Sequence, residues 1–196
     1  MRSSTITRES KETNITVQIN LDGSGKTQLQ TGVGFFDHML DALSRFAQMD
    51  LTVCCRGDLQ VDAHHTVEDV GICLGKAFAQ ALGDKRGITR YGFFILPMDE
   101  ALILSAVDIS GRCHLGYDLG IPTQKIGSFD TELVEEFLLG FVRSCPMSLH
   151  VKKMEGTNAH HIVEGAFKSL ARSLKAAVAI DPTAPNAVPS TKGVLE

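Results

Sequence analysis

The stretch Asp62-Ala63-His64-His65-Thr66-Val67-Glu68-Asp69 returns in the second half of the chain as His160-His161-Ile162-Val163-Glu164. Each copy opens an apolar pattern with helical spacing, and in a helix the first histidine and the glutamate share one face. The second histidine is rotated by roughly 100° and points elsewhere. Two imidazoles and a carboxylate in this repeated pattern indicate metal binding.

The repeat predicts a site with two metal ions. If the two copies face each other about a local twofold axis, each metal can take ligands from both copies. The expected sets are His64 and Glu68 with His161, and His160 and Glu164 with His65.

Further ligands are expected on the helices that precede the motifs. His38, in Phe36-Asp37-His38-Met39-Leu40, is a candidate in the first half, and Glu136 is its counterpart in the second. Histidine and carboxylate without thiolate favour manganese, iron or cobalt over a structural zinc site, with zinc as an alternative. Manganese suits this set best.

Size and composition indicate a single enzyme domain. A chain of 196 residues with 43% hydrophobic content can bury a sizeable core. The net charge of −4 gives no general attraction to nucleic acid or to anionic membranes. The apolar stretches are too short to span a bilayer, no signal peptide is recognisable, and the five cysteines lack CxxC spacing. We therefore expect a cytoplasmic protein without nucleic-acid or membrane partners.

The order of predicted elements suggests a tandem duplication. The first half reads as a strand at 14–21, a helix from near 37, strands at 51–55 and 59–61, and the first motif helix. The second half reads as strands at 102–109 and 114–119, a helix through 133–141, a strand at 149–151, and the second motif helix. We expect one α+β domain, 1–196, with halves of about 1–92 and 93–180 whose helices pack together between two sheets. The tail, 181–196, is expected to be extended.

Basic residues supply candidate anion-binding groups. They are Arg90, Arg112, Lys168 and Lys192, the last of which lies beside Ser190 and Thr191. The tail segment Pro189-Ser190-Thr191-Lys192-Gly193 could fold over a bound phosphate and supply hydroxyls and an ammonium group.

Several motifs, in the right order over nearly the whole chain, together resemble the imidazoleglycerol-phosphate dehydratases of histidine biosynthesis. They are GFFDHML at 34–40, DAHHTVED at 62–69, LPMDEAL at 96–102, DISGR at 108–112, the second HHxxE and PSTKG at 189–193. The resemblance implies the monofunctional form and a duplicated α+β fold of the ribosomal protein S5 domain 2-like type. In that fold a helical bundle lies between two four-stranded mixed sheets. It also implies two Mn²⁺ ions per active site and a 24-subunit homo-oligomer with active sites where subunits meet.

The resemblance assigns roles to individual residues. The matching metal ligands are His38, His64, His65, Glu68, His160, His161 and Glu164, and Glu136 stands where the eighth ligand is commonly histidine. Glu12, in Lys11-Glu12-Thr13, matches a glutamate near the reacting carbon. The matching phosphate and substrate contacts are Arg90, Arg112, Lys168, Ser190 and Lys192, with Glu12 and His38 beside them, while Ala42 replaces a glutamine common in some members.

The implied reaction is the dehydration of D-erythro-imidazole glycerol phosphate to imidazole acetol phosphate in L-histidine biosynthesis. The hydrogen that is lost lies on a carbon without an adjacent carbonyl, so two metals that stabilise the imidazolate are needed, and Glu12 is the expected base. A dinuclear metallohydrolase acting on a small phosphorylated substrate is the alternative enzyme, although the motifs lack aspartate-rich bridging ligands. A metal-dependent assembly protein is the non-catalytic alternative, in which a phosphate clamp would be superfluous.

Overall fold

The computed structural model describes residues 1–195, so Glu196, at the end of the expected tail, lies outside the described residues. Ten strands and four helices occur in this part of the chain. In chain order they are β1 (Ser3–Glu9), β2 (Thr13–Asn20), β3 (Thr27–Gln30), α1 (Gly34–Ala47), β4 (Asp50–Gly57), α2 (His64–Leu82), β5 (Tyr91–Met98), β6 (Ala101–Asp108), β7 (His114–Asp118), β8 (Lys125–Ile126), β9 (Phe129–Asp130), α3 (Leu133–Ser144), β10 (Ser148–Glu155) and α4 (Ala159–Val178).

The two halves of the chain build sheets with the same topology. The first sheet has the order β1-β2-β4-β3 and the second has the order β5-β6-β10-β7. In each sheet the first two strand pairs are antiparallel and the last pair is parallel. Each half therefore contributes one mixed four-stranded sheet and two helices.

Strand alternation turns one face of each sheet toward the helices. In β2, Ile15, Val17 and Ile19 are buried while the residues between them are more exposed. Ser4 Oγ donates to the Ala77 carbonyl of α2 at 2.7 Å, and α2 thereby lies against the first sheet. On the second sheet, Ser173 Oγ of α4 donates to the Ser105 carbonyl at 3.0 Å.

The core lies among the four helices and on the inner faces of the two sheets. The Phe137 ring of α3 contacts the Phe36 ring of α1 at 5.4 Å between centroids and the Phe167 ring of α4 at 5.3 Å. Helices α2 and α3 approach so closely that a Cβ at Gly71 would lie 2.5 Å from the Phe137 carbonyl oxygen. The structure confirms the predicted α+β fold, a helical bundle between two four-stranded mixed sheets.

Some predicted elements were wrong or missing. Residues 59–61 form a turn rather than a strand, closed by a 2.8 Å hydrogen bond from Val61 N to the Asp58 carbonyl. Strands β1, β3, β5, β8 and β9 were not predicted. The outward side chains of β5 include the exposed Phe93, so its sequence lacks polar alternation. Helix α1 begins at Gly34, earlier than expected.

The C-terminal tail forms a series of turns and not the extended segment that was expected. Gly87 N donates to the Ala187 carbonyl and Asp181 N donates to the Gly87 carbonyl, both within 2.8 Å. These bonds fix the tail to the loop between α2 and β5. Among the helices of the described chain, none combines the length and apolar character needed to cross a membrane.

Candidate metal and substrate site

A cluster of potential metal ligands lies where α4 begins beside α1. His160 Nε2 lies 2.9 Å from Glu164 Oε2, and His38 Nε2 lies 3.5 Å from the same oxygen. One donor atom from each of these three residues lies within 4.8 Å of the others, the only such group of three in residues 1–195. Two imidazole nitrogens and a carboxylate oxygen at this spacing fit a divalent metal of the manganese, iron or zinc class.

Glu164 is held ionised although it is buried. Burial opposes its negative charge, but hydrogen bonds from Lys168 and His160 outweigh this effect and lower the pKa of Glu164. Lys168 Nζ lies 2.5 Å from Glu164 Oε1, one helical turn away. The predicted phosphate ligand Lys168 therefore lies against the histidine cluster and supplies its positive charge there.

His161 points away from this cluster, as helical spacing requires. Its Nδ1 lies 2.7 Å from Glu100 Oε2, in the turn between β5 and β6, and its Nε2 lies 3.6 Å from Asp99 Oδ2. This hydrogen bond raises the pKa of His161, and together with backbone N–H bonds, from Asn158 and Thr157 among others, it lowers the pKa of Glu100 to about 2. Asn158 caps α4 by accepting hydrogen bonds from the backbone N–H groups of His160 and His161.

The first motif has its own carboxylate neighbours. His65 Nδ1 lies 2.9 Å from Asp58 Oδ2, just beyond β4, and this hydrogen bond raises the pKa of His65. His65 Nε2 lies 3.9 Å from Glu12 Oε1, and the Glu12 side chain is 53% exposed. Glu12 and Asp58 line an open cavity of about 300 Å³ together with Lys11, Arg56 and neighbouring residues. This cavity offers room for a small substrate beside Glu12.

Within one chain, the structure does not form the two ligand sets expected from the sequence. His161 is not grouped with His64 and Glu68, and His65 is not grouped with His160 and Glu164. The reason is helix pairing: α4 packs against α1, whereas α2 packs against α3. His38 on α1 therefore meets the second motif.

Of the predicted ligands outside that cluster, three have no side-chain partner in residues 1–195. The side chains of His64, Glu68 and Glu136 make no hydrogen bond or ion pair with residues 1–195. Glu136 lies on α3, which is the helix packed against α2, and it is partly buried. These side chains are free to bind a metal.

The remaining predicted phosphate ligands lie near the opposite end of α4. Arg90 forms a bidentate pair with Asp108, with its Nε 2.7 Å from Asp108 Oδ1, and its Nη1 donates to the Pro189 carbonyl at 2.9 Å. Ser190 Oγ accepts from Lys192 N at 3.2 Å, and the Lys192 side chain is exposed. Arg112, also exposed, lies in the loop that follows Asp108.

The length of α4 separates the tail from the histidine cluster. Arg90 N donates to the Ala177 carbonyl at 2.8 Å, near the carboxyl end of α4, and His161 lies at the amino end. Ala177 lies sixteen positions after His161 in the helix, which corresponds to about 24 Å along its axis. Arg90, which binds the tail at Pro189, therefore lies at the end of α4 opposite to the second motif of the same chain.

Sequence reasoning missed three acidic residues at the site. Asp58 contacts His65 and Glu100 contacts His161, the second histidines of the two motifs. The buried Asp69 joins α2 to the turn that carries Glu12. Both Asp69 and Glu100 lie inside motifs that the sequence analysis singled out. Asp69 directly follows the predicted ligand Glu68, and Glu100 lies in the turn between β5 and β6. Their contacts depend on elements distant in sequence, which a local pattern does not reveal.

Known proteins resemble this chain over its full length. The family model for imidazoleglycerol-phosphate dehydratase matches residues 31–174. The imidazoleglycerol-phosphate dehydratase of Dinoroseobacter shibae is 60% identical over 195 residues, covering 100% of both chains, and that of Jannaschia sp. is 56% identical with the same coverage.

Solved structures agree with these matches. The Staphylococcus aureus imidazoleglycerol-phosphate dehydratase superimposes with a TM-score of 0.84 at 34% identity, covering 91% of this chain and 99% of that one. A Pyrococcus furiosus structure of the same name, in complex with (S)-C348, gives a TM-score of 0.81 at 38% identity and covers 97% of this chain and 100% of that one. On sequence, fold and coverage together, the chain belongs to the imidazoleglycerol-phosphate dehydratase family of hydro-lyases.

Proposed function

We propose that this protein removes water from D-erythro-imidazole glycerol phosphate to give imidazole acetol phosphate in L-histidine biosynthesis, with two Mn²⁺ ions per active site. The observation that carries the metal dependence is the convergence of His38, His160 and Glu164, whose donor atoms lie within 4.8 Å of one another. Imidazole nitrogen and carboxylate oxygen are donor types that Mn²⁺ accepts, which supports the metal dependence.

The residues that would hold the metals are those of the two motifs and their helix neighbours. They are His38, His64, His65, Glu68, Glu136, His160, His161 and Glu164. When bound, the metals act as Lewis acids that stabilise negative charge on the imidazole ring. Lys168 helps to keep Glu164 ionised, and the Asn158 side chain caps the start of α4.

Glu12 is suited to move the proton from the reacting carbon. Its carboxylate accepts no hydrogen bond from residues 1–195, it lines an open cavity, and its Oε1 lies 3.9 Å from His65 Nε2. A general base must reach the proton that it abstracts, and an unengaged carboxylate on a short turn can do so. The turn is held by Ser10 Oγ, which accepts from Glu12 N at 3.2 Å and from Thr13 N at 3.0 Å.

The phosphate would be bound by the basic residues and the tail. Lys192 and Arg112 are exposed, whereas Arg90 is engaged with Asp108 and Pro189 and acts by holding the tail in place. Arg90, which holds the tail, bonds Ala177, about 24 Å along α4 from His161, and this separation supports a complete site that takes ligands from neighbouring subunits. This supports a homo-oligomer, proposed to be a 24-mer, with active sites at subunit interfaces.

Incubation of the manganese-loaded protein with imidazole glycerol phosphate tests the proposal. Formation of the ketone without release of inorganic phosphate is the expected result. Phosphate release would favour the dinuclear metallohydrolase. If neither ketone nor phosphate formed, the metal-dependent assembly protein would be the remaining alternative. The same reaction after exhaustive chelation, and again after return of Mn²⁺, tests the metal dependence.

A further inference from the structure

The second histidine of each motif is held in the same way. His65 Nδ1 lies 2.9 Å from Asp58 Oδ2, and His161 Nδ1 lies 2.7 Å from Glu100 Oε2. A carboxylate only accepts hydrogen bonds, so the proton of each neutral imidazole must lie on Nδ1. The lone pair of each ring is then on Nε2.

We propose that Asp58 and Glu100 are positioning residues that fix the tautomer and ring orientation of His65 and His161, so that Nε2 of each binds metal. The inference rests on the metal dependence proposed above. A carboxylate behind a metal-binding histidine orients the ring and increases its basicity.

Glu100 is itself held in a single orientation. Its Oε1 accepts from Asn158 N at 2.7 Å and from Thr157 N at 3.2 Å. Asn158 in turn caps α4 through the N–H groups of His160 and His161. Because two backbone donors fix Oε1, the other oxygen, Oε2, faces His161, and the two oxygens cannot exchange places.

The duplication shows how the two halves divide these tasks. Glu100 immediately precedes β6, and Glu12 immediately precedes β2, the topologically equivalent strand. In the second half this residue holds the histidine. In the first half Asp58 holds His65, which leaves Glu12 3.9 Å from His65 Nε2 and unengaged. The same position therefore orients a histidine in one half and is left free for proton transfer in the other.

Glu100→Gln tests the tautomer directly. The backbone N–H groups of Thr157 and Asn158 keep the amide oxygen where Oε1 lies, so the amide NH₂ must face His161 Nδ1. The imidazole then accepts at Nδ1 and carries its proton on Nε2, where it blocks the metal. Competition between protein and chelator for Mn²⁺, with metal content measured per chain, should show about 10- to 100-fold weaker binding.

Two further variants distinguish the effect of the tautomer on Mn²⁺ affinity from the effects of lost charge and of lost loop anchoring. Asp58→Asn removes the same charge, but the other Asp58 oxygen has no partner in residues 1–195, so the amide can turn and still accept from His65. Its loss of affinity should be smaller.

Asp50→Asn is the matched control, because Asp50 also accepts hydrogen bonds from two loop N–H groups, those of Ser24 and Lys26, with no histidine nearby. Its Mn²⁺ binding should equal that of the wild type.

The outcomes are distinct once circular dichroism shows that each variant is folded. Wild-type Mn²⁺ affinity in Glu100→Gln would overturn the positioning role while leaving the proposed function intact. Equal losses in Glu100→Gln and Asp58→Asn would overturn the tautomer argument in favour of charge alone. A wild-type protein that binds no Mn²⁺ would overturn both the metal dependence and this inference.

Discussion

Replacing Asp69 by asparagine should lower both stability and turnover, because this side chain joins two parts of the site. Asp69 is 5% exposed on α2, directly after the predicted ligand Glu68. Its Oδ2 accepts from the Arg8 guanidinium and, at 2.6 Å, from the Thr13 hydroxyl. Thr13 follows Glu12, so Asp69 fixes the turn that carries the expected base against the helix that carries the first motif.

The magnitude follows from the two hydrogen bonds. A hydrogen bond to a charged group contributes roughly 1.5 to 3 kcal/mol, against about 1 kcal/mol for a neutral one. Both donors bond the same oxygen, so an asparagine oxygen in its place can accept from both, but neither bond then has the carboxylate's charge. Arg8 is 33% exposed and regains water, which reduces the loss. We expect about 2 kcal/mol less stability. A displaced Glu12 should lower kcat about tenfold or more with little change in KM.

Urea unfolding of the metal-free protein at fixed subunit concentration, together with steady-state kinetics, measures both effects. Asp22→Asn is the matched control: the Arg2–Asp22 pair, at 2.6 Å, lies at the opposite end of the same β1–β2 hairpin, and Asp22 is 40% exposed. That variant should lose at most about 1 kcal/mol and keep its kcat. Equal kcat values in the Asp69 and Asp22 variants would refute the reasoning.

Three other predictions concern the metal and the phosphate. Lys192→Ala should raise KM for the phosphorylated substrate tenfold or more without changing stability, since a lost charge-assisted hydrogen bond is worth roughly 1.5 to 3 kcal/mol; an unchanged KM would remove the tail from the phosphate site. His64→Ala or His161→Ala should abolish activity and reduce bound metal, and full metal occupancy with normal turnover would contradict their role as ligands. Chelation, or acidification to about pH 5, should split the assembly into smaller rings that recover with Mn²⁺, because protonated imidazole cannot bind metal. The raised pKa values of His65 and His161 favour that protonation. Light scattering that shows constant mass under both treatments would show that other contacts hold the subunits together.

Much of the fold follows from local sequence. The motif helices and the strands β2, β4, β6 and β10 are amphipathic or apolar enough to be predicted, and their repeated order implied two similar halves. Strand β1, SSTITRE, has Ile6 as its one apolar residue, so its sequence carries no apolar alternation although exposure alternates along it. The 59–61 stretch has strand-like composition but no neighbouring strand, and tertiary pairing decides such cases.

The site was predictable as a set of residues but not as an arrangement. Spacing within one helix correctly separates His160 and Glu164 from His161, since that geometry is local. Which helix faces the motif is a matter of packing, and the α1–α4 contact brought in His38 in place of a first-motif ligand. Asp58 and Glu100 could not be assigned because each reaches its histidine from another element of the fold.

The separation of the two ends of α4 has a genetic consequence. Suppose that the histidines of one chain and the tail of another act on the same substrate. A mutation in the second motif and a mutation at Lys192 then damage parts of each active site that different subunits supply. Cells that carry one allele of each kind would build mixed shells in which some active sites receive both intact parts. Two individually inactive alleles of this one gene would then complement each other and restore growth without histidine.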